Sequence, residues 1–500
     1  MEASARTLFT SLSLIVATLG ASGTASAAHR HEHFLKNVSA TTDTASTHAG
    51  ATRALSPAGS HEARHWLDGK LPPGGAIGEG GVVHTVRPGE SWATIADAYL
   101  DLTGIYDVTE LAKAIAKTNP SAKPTAGTKV TIPSVLPNAP KSARLGLPKD
   151  DDLRGVYVRG STAGGAGYVP MLEHVAAHGL NAIVLDVKDY DGPLTYPSKV
   201  AFAVDDGADD KPPMRSYARA VRFAHERGIR VIARVSCFND QLTAKAHPGL
   251  AIRGVSGHPY RNGWVDPQNE THQAYIADLV KEALAANVDE IQLDYVRFPV
   301  IGMKNIDFKL DLKQNPRAKV DVITAFVEKI HKITKAHDVP LALDVFGVIA
   351  FGKDADIQNL GQDPAELSKH AEFLNPMVYP SHYDAGFMGM DAPGEHPELV
   401  GLGVKHMREY VAEKAGDKAI AKIRPWLQAM SFNSANYGPA YIQEEIRTGD
   451  KAGASGYLLW NPGQTYDVAW RAIPRKVVAS EEKHASVTKH ALTRASHRHE

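Results

Sequence analysis

The sequence predicts an α/β fold in which a small N-terminal domain precedes a (β/α)8 TIM barrel. Strands and helices alternate from about residue 152 to residue 475, and this alternation is typical of a parallel sheet covered by helices. We read eight strands in this region, which is the number that the barrel requires. No GxGxxG turn follows the first strand, and this disfavours a doubly wound nucleotide-binding sheet.

The composition limits the classes of partner. The chain has 500 residues, more than one ordinary barrel needs, so a second domain is expected. Lys and Arg total 55 against 56 for Asp and Glu. The dense positive charge that attracts nucleic acids or anionic membrane surfaces is therefore missing. The single cysteine, Cys237, excludes an intrachain disulfide.

Residues 1–28 have the pattern of a secretory signal peptide. Arg6 supplies a positive charge, Leu8 to Leu19 form an apolar run, and Ala25-Ser26-Ala27 is a small-residue cleavage site. The run is short for a bilayer span, which needs about 20 residues. We therefore expect an exported protein of the cell envelope or the extracellular space, without stable membrane insertion once the signal is cleaved. Retention of the segment as an anchor is the alternative.

Two segments have the composition of disordered chain. Residues 29–80 are rich in Ala, Ser, Thr, His and Gly and predict a spacer, and residues 476–500 predict a tail rich in histidine and basic residues. Scattered histidines on a disordered chain fix no ligand geometry. We predict neither a metal site nor a cofactor.

Residues 82–133 have the pattern of a compact βααβ domain. Residues 83–86 alternate as a short strand, and Ser91 can cap a helix that contains Trp92. A second helix, Val108 to Lys117, ends at Asn119-Pro120, and a closing strand covers residues 129–133. The order strand, helix, helix, strand follows from these signals.

This βααβ unit resembles a LysM module, the small domain that binds chains containing N-acetylglucosamine. The resemblance rests on Gly89-Glu90-Ser91-Trp92 and on Asn119, and it implies that these residues bind a glycan. The segment between the helices, Asp101 to Asp107, is longer than the LysM pattern. A structural βααβ domain without a ligand is the alternative.

A linker rich in Pro, Ala and Lys, residues 134–151, leads to the barrel domain, residues 152–475. Its strands are predicted from short apolar runs between helical stretches. The predicted strands are Gly155–Arg159, Ala182–Lys188, Arg230–Val235, Glu290–Asp294, Leu341–Val345, Phe373–Tyr379, Pro425–Met430 and Gly456–Trp460.

Polar and aromatic residues mark the carboxyl ends of seven of these strands. Residues two apart on a strand share a face, and in a barrel these ends meet at one rim, where the catalytic residues of this fold lie. The rim combines acids, bases and indoles, which is typical of a sugar-binding cleft. The predicted substrate-binding residues are Asp186, Lys188, Arg234, Arg297, Tyr379, His382, Trp426, Gln428, Trp460 and Asn461.

The fourth strand and the turn after it read DEIQLDYVRFP, residues 289–299. This segment resembles the LDYVRFP-type strand of a bacterial family of predicted glycoside hydrolases with a TIM-barrel domain. The resemblance implies sugar hydrolysis by the barrel and leaves the glycan open. Polysaccharide or peptidoglycan chains are the expected partners.

Glycoside cleavage uses two carboxyl groups, one as the proton donor and one as the nucleophile or base. Asp294 and Asp344 end neighbouring predicted strands, and strands in a sheet lie about 4.8 Å apart. The basic residues Arg234, Arg297 and Lys188 are expected to keep one acid ionised, and we assign Asp294 as that acid because Arg297 is close to it in sequence. The apolar residues around Asp344 should favour its neutral form.

Two other functions are compatible with these residues. In a non-catalytic carbohydrate-binding protein, Trp426 and Trp460 would stack on sugar faces and the acids would bind hydroxyl groups. In a metal-dependent barrel hydrolase or deacetylase, His382 would join Asp186, Asp294 and Asp344 as ligands. The protonation states of the acid pair discriminate the first alternative, and metal analysis discriminates the second.

Overall fold

The structure is a computed structural model that describes residues 65–260, 263–300 and 303–475. The predicted signal peptide, residues 1–28, and the predicted tail, residues 476–500, lie outside the described residues, as does most of the predicted spacer. Within the described ranges, no helix combines the length and apolar character needed to cross a membrane.

The N-terminal domain contains a three-stranded antiparallel sheet and two helices. The strands are β1 (Gly75–Gly78), β2 (Gly81–Thr85) and β3 (Lys129–Ile132), in the order β1-β2-β3. The helices α1 (Trp92–Tyr99) and α2 (Val108–Thr118) connect β2 to β3. Ser91 begins α1 with a capping box, and the Asp107 side chain caps α2. The βααβ order is thus present, with β1 added at the sheet edge.

Strand β1 shows that the predicted spacer, residues 29–80, extends too far toward the C-terminus. Residues 65–80 belong to the N-terminal domain, because β1 pairs with β2 and Leu67 is 1% exposed in the domain core. The Trp66 indole donates a hydrogen bond of 2.9 Å to the carbonyl of Leu136. Composition does not predict these contacts, because the Gly and Pro residues around residue 75 are typical of a disordered spacer.

The long segment between α1 and α2 contacts the second domain. The Tyr106 hydroxyl donates to the Ala163 carbonyl, and its ring packs against Tyr168 and Phe223 at centroid distances of 4.9 and 4.8 Å. Arg215 donates to Asp101 at 2.9 Å and to Asp97 at 2.6 Å. The insertion that departs from the LysM pattern therefore packs on the second domain.

Tyr106→Ala should weaken this contact between the domains. Removing the ring and its hydroxyl deletes two aromatic contacts and one hydrogen bond, a loss on the order of 2 kcal/mol. We expect faster proteolysis of the linker, residues 134–151, and a separate unfolding transition for the N-terminal domain in calorimetry. A single transition and an unchanged cleavage rate would show that the contact does not couple the two domains.

The second domain is a curled parallel sheet of nine strand segments surrounded by helices. Its strands are β4 (Leu153–Val158), β5 (Ala182–Lys188), β6 (Arg230–Ser236), β8 (Glu290–Asp294), β10 (Leu341–Phe346), β11 (Phe373–Met377), β12 (Lys422–Ile423), β13 (Trp426–Gln428) and β14 (Gly456–Trp460). Two short strands, β7 (Arg253–Gly254) and β9 (Ile306–Asp307), pair outside this sheet.

The helices of this domain alternate with the strands along the chain. They are α3 (Gly160–Ala163), α4 (Tyr168–Ala177), α5 (Ala201–Asp205), α6 (Tyr217–His225), α7 (Gln241–Ala246), α8 (Glu270–Ala285), α9 (Ala318–Lys335), α10 (Asp354–Leu360), α11 (Pro364–Leu367), α12 (Leu399–Lys414), α13 (Pro439–Lys451) and α14 (Asp467–Ala472).

The two edges of the curled sheet are adjacent in the chain. The strand order is β12-β11-β10-β8-β6-β5-β4-β14-β13, and only Arg424 and Pro425 separate β12 from β13. Arg424 donates its backbone N–H to Leu374 of β11, and Leu458 of β14 donates to the Pro425 carbonyl. The seventh predicted strand, Pro425–Met430, overlaps β13, whereas β12 precedes it and was not predicted. The other predicted strands each overlap one strand of this sheet.

The sheet buries both of its faces, as parallel sheets do. The large core cluster, which includes Leu185, Leu293 and Leu343, packs between the sheet and the helices. A smaller cluster on the inner face contains Tyr157, Trp426 and Leu458. The polar residues of the strands share the inner face with this second cluster.

A buried ion pair lies at the amino-terminal end of the sheet interior. Arg424 donates to both carboxylate oxygens of Glu290, and both side chains are fully buried. Leu147 of the linker packs against the inner cluster from this end. The backbone N–H groups of Leu145 and Gly146 donate to Asp289. These contacts leave the opposite end, where the strands terminate in polar residues, for a ligand.

Candidate active site

Asp294 at the end of β8 is ion-paired with Arg234 of β6. Arg234 donates to Asp294 Oδ2 from Nε at 3.0 Å and from Nη2 at 2.6 Å. The same guanidinium donates from Nη1 to Asp186 Oδ1 of β5 at 2.5 Å. Burial lowers the pKa of Arg234, but the two carboxylates outweigh it and raise that pKa well above its ordinary value. A permanently charged guanidinium therefore joins two acids of neighbouring strands.

Asp186 has a second partner in the Tyr157 hydroxyl of β4, which donates to its Oδ2 at 2.6 Å. Asp186 is fully buried. Desolvation raises its pKa to about 7, against the lowering effects of Arg234 and Tyr157. Asp186 thus changes its charge near neutral pH, and any such change alters how Arg234 is shared with Asp294.

Asp344 of β10 accepts three hydrogen bonds inside the sheet. Its Oδ1 accepts from the Trp426 indole at 2.7 Å and from the Asn375 amide at 3.2 Å, and its Oδ2 accepts from the Gln292 amide at 2.6 Å. Asp344 is 1% exposed. Burial, followed by the negative charge of Asp294, raises the pKa of Asp344 to about 8, although the Trp426 and Asn375 hydrogen bonds lower it. At pH 7 the neutral acid is favoured.

The strand register brings Asp294 and Asp344 together. Leu343 of β10 is opposite Leu293 of β8, so the next residue of each strand, Asp344 and Asp294, continues the same row. On the other side, Asp294 is opposite Ser236 of β6. The row therefore places an ion-paired carboxylate beside a carboxyl group with a raised pKa.

The backbone directly after Asp294 is strained. Tyr295 has φ 49°, a left-handed conformation that a bulky residue seldom adopts, and its N–H donates to Asp294 Oδ1 at 2.6 Å. Strain of this kind persists only where surrounding contacts hold it, and it concentrates at functional sites. The turn fixes the Oδ1 oxygen of Asp294 while Arg234 fixes the Oδ2 oxygen.

Comparison with known proteins places this domain in a family. Residues 155–466 match the model of the family described as "Putative glycosyl hydrolase domain". The chain belongs to this family. No curated protein matches the chain. The matched range contains all of the strand-end residues discussed above, and we refer to it as the glycosyl hydrolase domain.

Solved structures also match the chain. A hypothetical protein from Ruminiclostridium thermocellum has 29% identity and a TM-score of 0.34, over 38% of this chain and 97% of that one. The PgaB (BpsB) glycoside hydrolase domain from Bordetella bronchiseptica has 13% identity and a TM-score of 0.46, over 62% and 94%. The spore cortex-lytic enzyme SleL from Bacillus megaterium has 13% identity and a TM-score of 0.39, over 78% and 85%.

Aromatic residues of the glycosyl hydrolase domain surround the acids. Trp460 is half-buried and packs against Tyr157 at a centroid distance of 4.4 Å, and Arg234 lies 5.9 Å from its ring. Tyr379 is 5% exposed in the inner cluster and contacts His382 at 5.0 Å. Burial lowers the pKa of His382 to about 4, so this imidazole is neutral near pH 7. Trp460, Tyr379 and His382 thus lie on the predicted rim.

Lys188 does not share the environment of Asp186, contrary to the alternation argument. A bulge shifts the register of β5 against β6 between Asp186 and Lys188. Lys188 instead forms a buried ion pair of 2.9 Å with Asp240 and donates to the Ser236 carbonyl at 3.0 Å. It is a structural cation that ties β5 to the loop after β6.

Arg297 is not the ion-pair partner of Asp294, because Arg234 occupies that position. Proximity in sequence favoured Arg297, but the two side chains are not within ion-pair distance in the described part of the chain. A cross-strand partner cannot be identified from local spacing.

Gln428 and Asn461 have structural roles in place of the predicted contacts with substrate. The Gln428 amide donates to the carbonyls of Met430 and Phe432 and to the Ser434 hydroxyl, and its oxygen accepts from the Ser381 N–H. The Asn461 amide donates to Ala429 and Thr465, and its oxygen accepts from Gly463. Both side chains hold rim loops in place.

Trp426 is 1% exposed and bound to Asp344, so its ring is not a platform for sugar stacking in this state.

Sequence reasoning missed four residues that complete the site. Tyr157, Gln292 and Asn375 bind the acids directly, and Trp264 lies beside Arg297. Gln292 and Asn375 are polar residues inside otherwise apolar strands, and this pattern was an available signal. Tyr157 and Trp264 carried none, since aromatic residues are common in strands and loops.

The residues that resemble a LysM module have structural partners in the N-terminal domain. Glu90 accepts from the Arg87 backbone and from His84, and these bonds lower its pKa to about 2 although desolvation raises it. Asn119 bonds to Ile115 and Thr131, which joins α2 to β3. Gly89 adopts φ 83°, and Ser91 and Trp92 begin α1. These contacts account for the residues without a glycan, so a glycan-binding role stays a prediction.

Potential metal ligands are not clustered in the part of the chain that the structure describes. No group of three or more His, Cys, Asp or Glu residues in residues 65–260, 263–300 and 303–475 is arranged to hold a metal ion.

Trp426→Phe should raise the pKa of Asp344 further. The indole hydrogen bond favours the charged form and lowers that pKa, and phenylalanine removes it while keeping an aromatic ring. Carboxyl-carbon NMR titration of the variant should show this Asp344 transition at higher pH. Trp470→Phe, at a half-buried indole stacked on His178, is the matched control and should leave the transition in place. A transition that stays or moves downward would contradict the assignment.

Proposed function

We propose that the protein is an exported glycoside hydrolase that acts on a polysaccharide of the cell envelope or the extracellular space. We assign its second domain to the (β/α)8 TIM barrel class, counting residues 422–428 as one strand. Membership of the glycosyl hydrolase domain family supports the reaction class. The signal-peptide pattern of residues 1–28 supports export.

The observation that carries the mechanism is the adjacency of two carboxyl groups in different electrostatic environments. Asp294 is ion-paired with Arg234, and the pKa of Asp344 is raised to about 8. A pair of acids whose environments separate their protonation states is the requirement for this chemistry. We assign Asp344 as the donor of a proton to the glycosidic oxygen. Asp294 is then the nucleophile, or the base that activates water.

The N-terminal domain would hold the enzyme on its substrate. We propose that this LysM-like unit binds N-acetylglucosamine-containing chains through Gly89, Glu90, Ser91, Trp92 and Asn119. A second binding site on one chain raises the local concentration of substrate at the first. Pull-down of the isolated fragment, residues 65–136, with insoluble peptidoglycan and chitin tests this role, and no retention on either would contradict it.

One observation favours a non-catalytic carbohydrate-binding protein as the second candidate. Asp344 accepts three hydrogen bonds and is 1% exposed, so in this state it offers no proton to a ligand. Proton transfer requires Trp426 or its neighbours to shift when substrate binds, and catalytic contacts of free enzymes often tighten only in the complex.

Incubation of the chain from residue 29 with a panel of envelope polysaccharides and peptidoglycan distinguishes these functions. Mass analysis of the products should detect fragments with new reducing ends from at least one glycan. The anomeric configuration of the first product then decides between retention and inversion. Binding to a glycan without release of fragments from any member of the panel would support the second candidate.

A further inference from the structure

We propose that Arg297 forms a subsite for a carboxylate-bearing sugar unit beside the acid pair. This inference rests on the proposed glycoside hydrolase function and names the class of its substrate. It depends on one contrast between Arg297 and the other buried arginines of the described residues.

Arg297 is the member of this group without an acidic partner. The described residues contain five buried arginines, and four of them lie within 4.0 Å of a carboxylate. Arg297 is 8% exposed and has no carboxylate at that distance in the described ranges. Burial lowers its pKa from the ordinary value, whereas Tyr295 and Asp294 act to raise it. A buried cation without a paired anion is costly unless a ligand supplies one.

The guanidinium also has unused hydrogen-bond donors. It carries five N–H bonds, and the structure shows one hydrogen bond from its side chain, from Nη1 to the Phe298 carbonyl at 3.2 Å. Among the described residues, the structure shows no hydrogen bond from its Nε or Nη2 atom. In the described ranges, neither atom belongs to the buried polar atoms that are without a partner and without solvent contact. Each of these two atoms therefore keeps some contact with solvent, through which a ligand can reach it.

Three aromatic rings hold the guanidinium in place. The ring centroids of Phe346, Trp264 and Tyr295 lie 4.7, 4.9 and 5.5 Å from its central carbon. These cation–π contacts replace part of the lost hydration without using the N–H donors. Trp264 follows β6, Tyr295 directly follows Asp294, and Phe346 ends β10. The subsite therefore lies at the carboxyl ends of the same strands that carry Asp294 and Asp344.

The geometry favours a carboxylate over a phosphate. A guanidinium matches a carboxylate through two parallel N–H···O bonds, and Nε and Nη2 are the two adjacent donors that are free. Arg297 contributes one positive charge, and the nearby Arg234 is already shared between two acids. A monoanionic carboxylate balances this charge, whereas a phosphate dianion does not. The carboxylate can belong to a uronic acid ring or to the lactyl ether of a muramic acid unit.

Two matched pairs of oligosaccharides test the subsite with the full chain from residue 29. The first pair is a peptide-free peptidoglycan tetrasaccharide, which carries lactyl carboxylates, and chitotetraose, which has the same backbone without them. The second pair is tetragalacturonate and its carboxyl-reduced derivative. Affinities are measured by calorimetry at 4 °C, and mass analysis verifies that each ligand stays intact.

We expect the wild type to bind one acidic member at least tenfold more tightly than its neutral partner, and the pair concerned identifies the source of the carboxylate. Arg297→Met should lose about 10- to 100-fold in affinity for that acidic ligand alone, the range expected for charge-assisted hydrogen bonds. Arg297→Lys keeps the charge without the planar fork and should lose several-fold. Arg447→Met, at an exposed arginine paired with Glu444, is the control and should change nothing.

The outcomes separate this inference from the proposed function. Binding of neutral and acidic ligands with equal affinity would overturn the subsite and leave the hydrolase proposal standing. An equal loss on both ligands in Arg297→Met would also overturn it, because that residue would then only support the loop. If thermal unfolding shows that Arg297→Met is not folded, Arg297→Lys decides by the same comparison. A wild type that binds none of the four oligosaccharides would overturn the subsite, whereas the hydrolase proposal is decided by the polysaccharide panel.

Discussion

Asp294→Asn should abolish glycan cleavage while the chain stays folded. Asparagine keeps the size of the side chain and one oxygen that can accept from Arg234, but it removes the negative charge that a nucleophile or base requires. Arg234 keeps Asp186 as a partner through Nη1, so the buried cation is not left unpaired. We expect kcat to fall by roughly 1,000-fold or more on the glycan that the panel identifies.

The same substitution should also affect Asp344. The charge of Asp294 raises the pKa of Asp344, so its removal should lower that pKa and move the Asp344 transition in an NMR titration to lower pH. Asp278→Asn removes an exposed acid that is paired with Lys281, and it should change neither the rate nor the transition. Near-wild-type cleavage by Asp294→Asn would show that the acid is not catalytic, whereas an unshifted Asp344 would show that the two groups are not coupled.

The sequence predicted the strands and the inward-facing acids because both depend on local pattern. Apolar runs bounded by polar residues located eight of the nine strand segments of the curled sheet, and Asp186, Asp294 and Asp344 lie at or near the carboxyl ends of three of them. The inner face of a parallel sheet cannot hold an unpaired charge, so an acid at a strand end pointed to a network there. This part of the site follows from periodicity and burial alone.

The partners of those acids could not be predicted, because they depend on register between strands. Arg234 was one of three basic residues expected near the acid pair, and its bond to Asp294 depends on the alignment of β6 with β8. The bulge that directs Lys188 to Asp240 has no signature in the sequence. Glutamine is a residue type that can bind sugar hydroxyl groups. Only the loop conformations show that the Gln428 amide already donates its hydrogen bonds to Met430 and Ser434. Local spacing identifies candidates, and cross-strand contacts decide their roles.

Asp344→Asn should slow the cleavage of natural glycans far more than that of activated aryl glycosides. A general acid matters most when the leaving oxygen is basic, and its loss costs about 100- to 10,000-fold in such cases. An aryl leaving group departs without a proton, so its rate should change little. The loss of activity of the wild type as pH rises through about 8, the pKa of Asp344, should be absent in the variant. Equal losses on both substrates would assign Asp344 a structural role.

The stability of the protein gives an independent test of the same protonation state. The pKa of Asp344 is about 8 in the folded chain and about 3.9 in an unfolded one. Between these values the folded chain binds the extra proton, so the free energy of unfolding must fall as pH rises, by at most about 1.4 kcal/mol per pH unit for this group.

Asp186, whose folded pKa is about 7, adds a slope of the same sign in the wild type and in Asp344→Asn. The difference in slope between wild type and Asp344→Asn, measured by urea unfolding from pH 5 to pH 8, therefore isolates Asp344. A flatter profile in the variant is expected, and parallel profiles would mean that Asp344 is ionised in the folded protein at neutral pH and cannot be the proton donor.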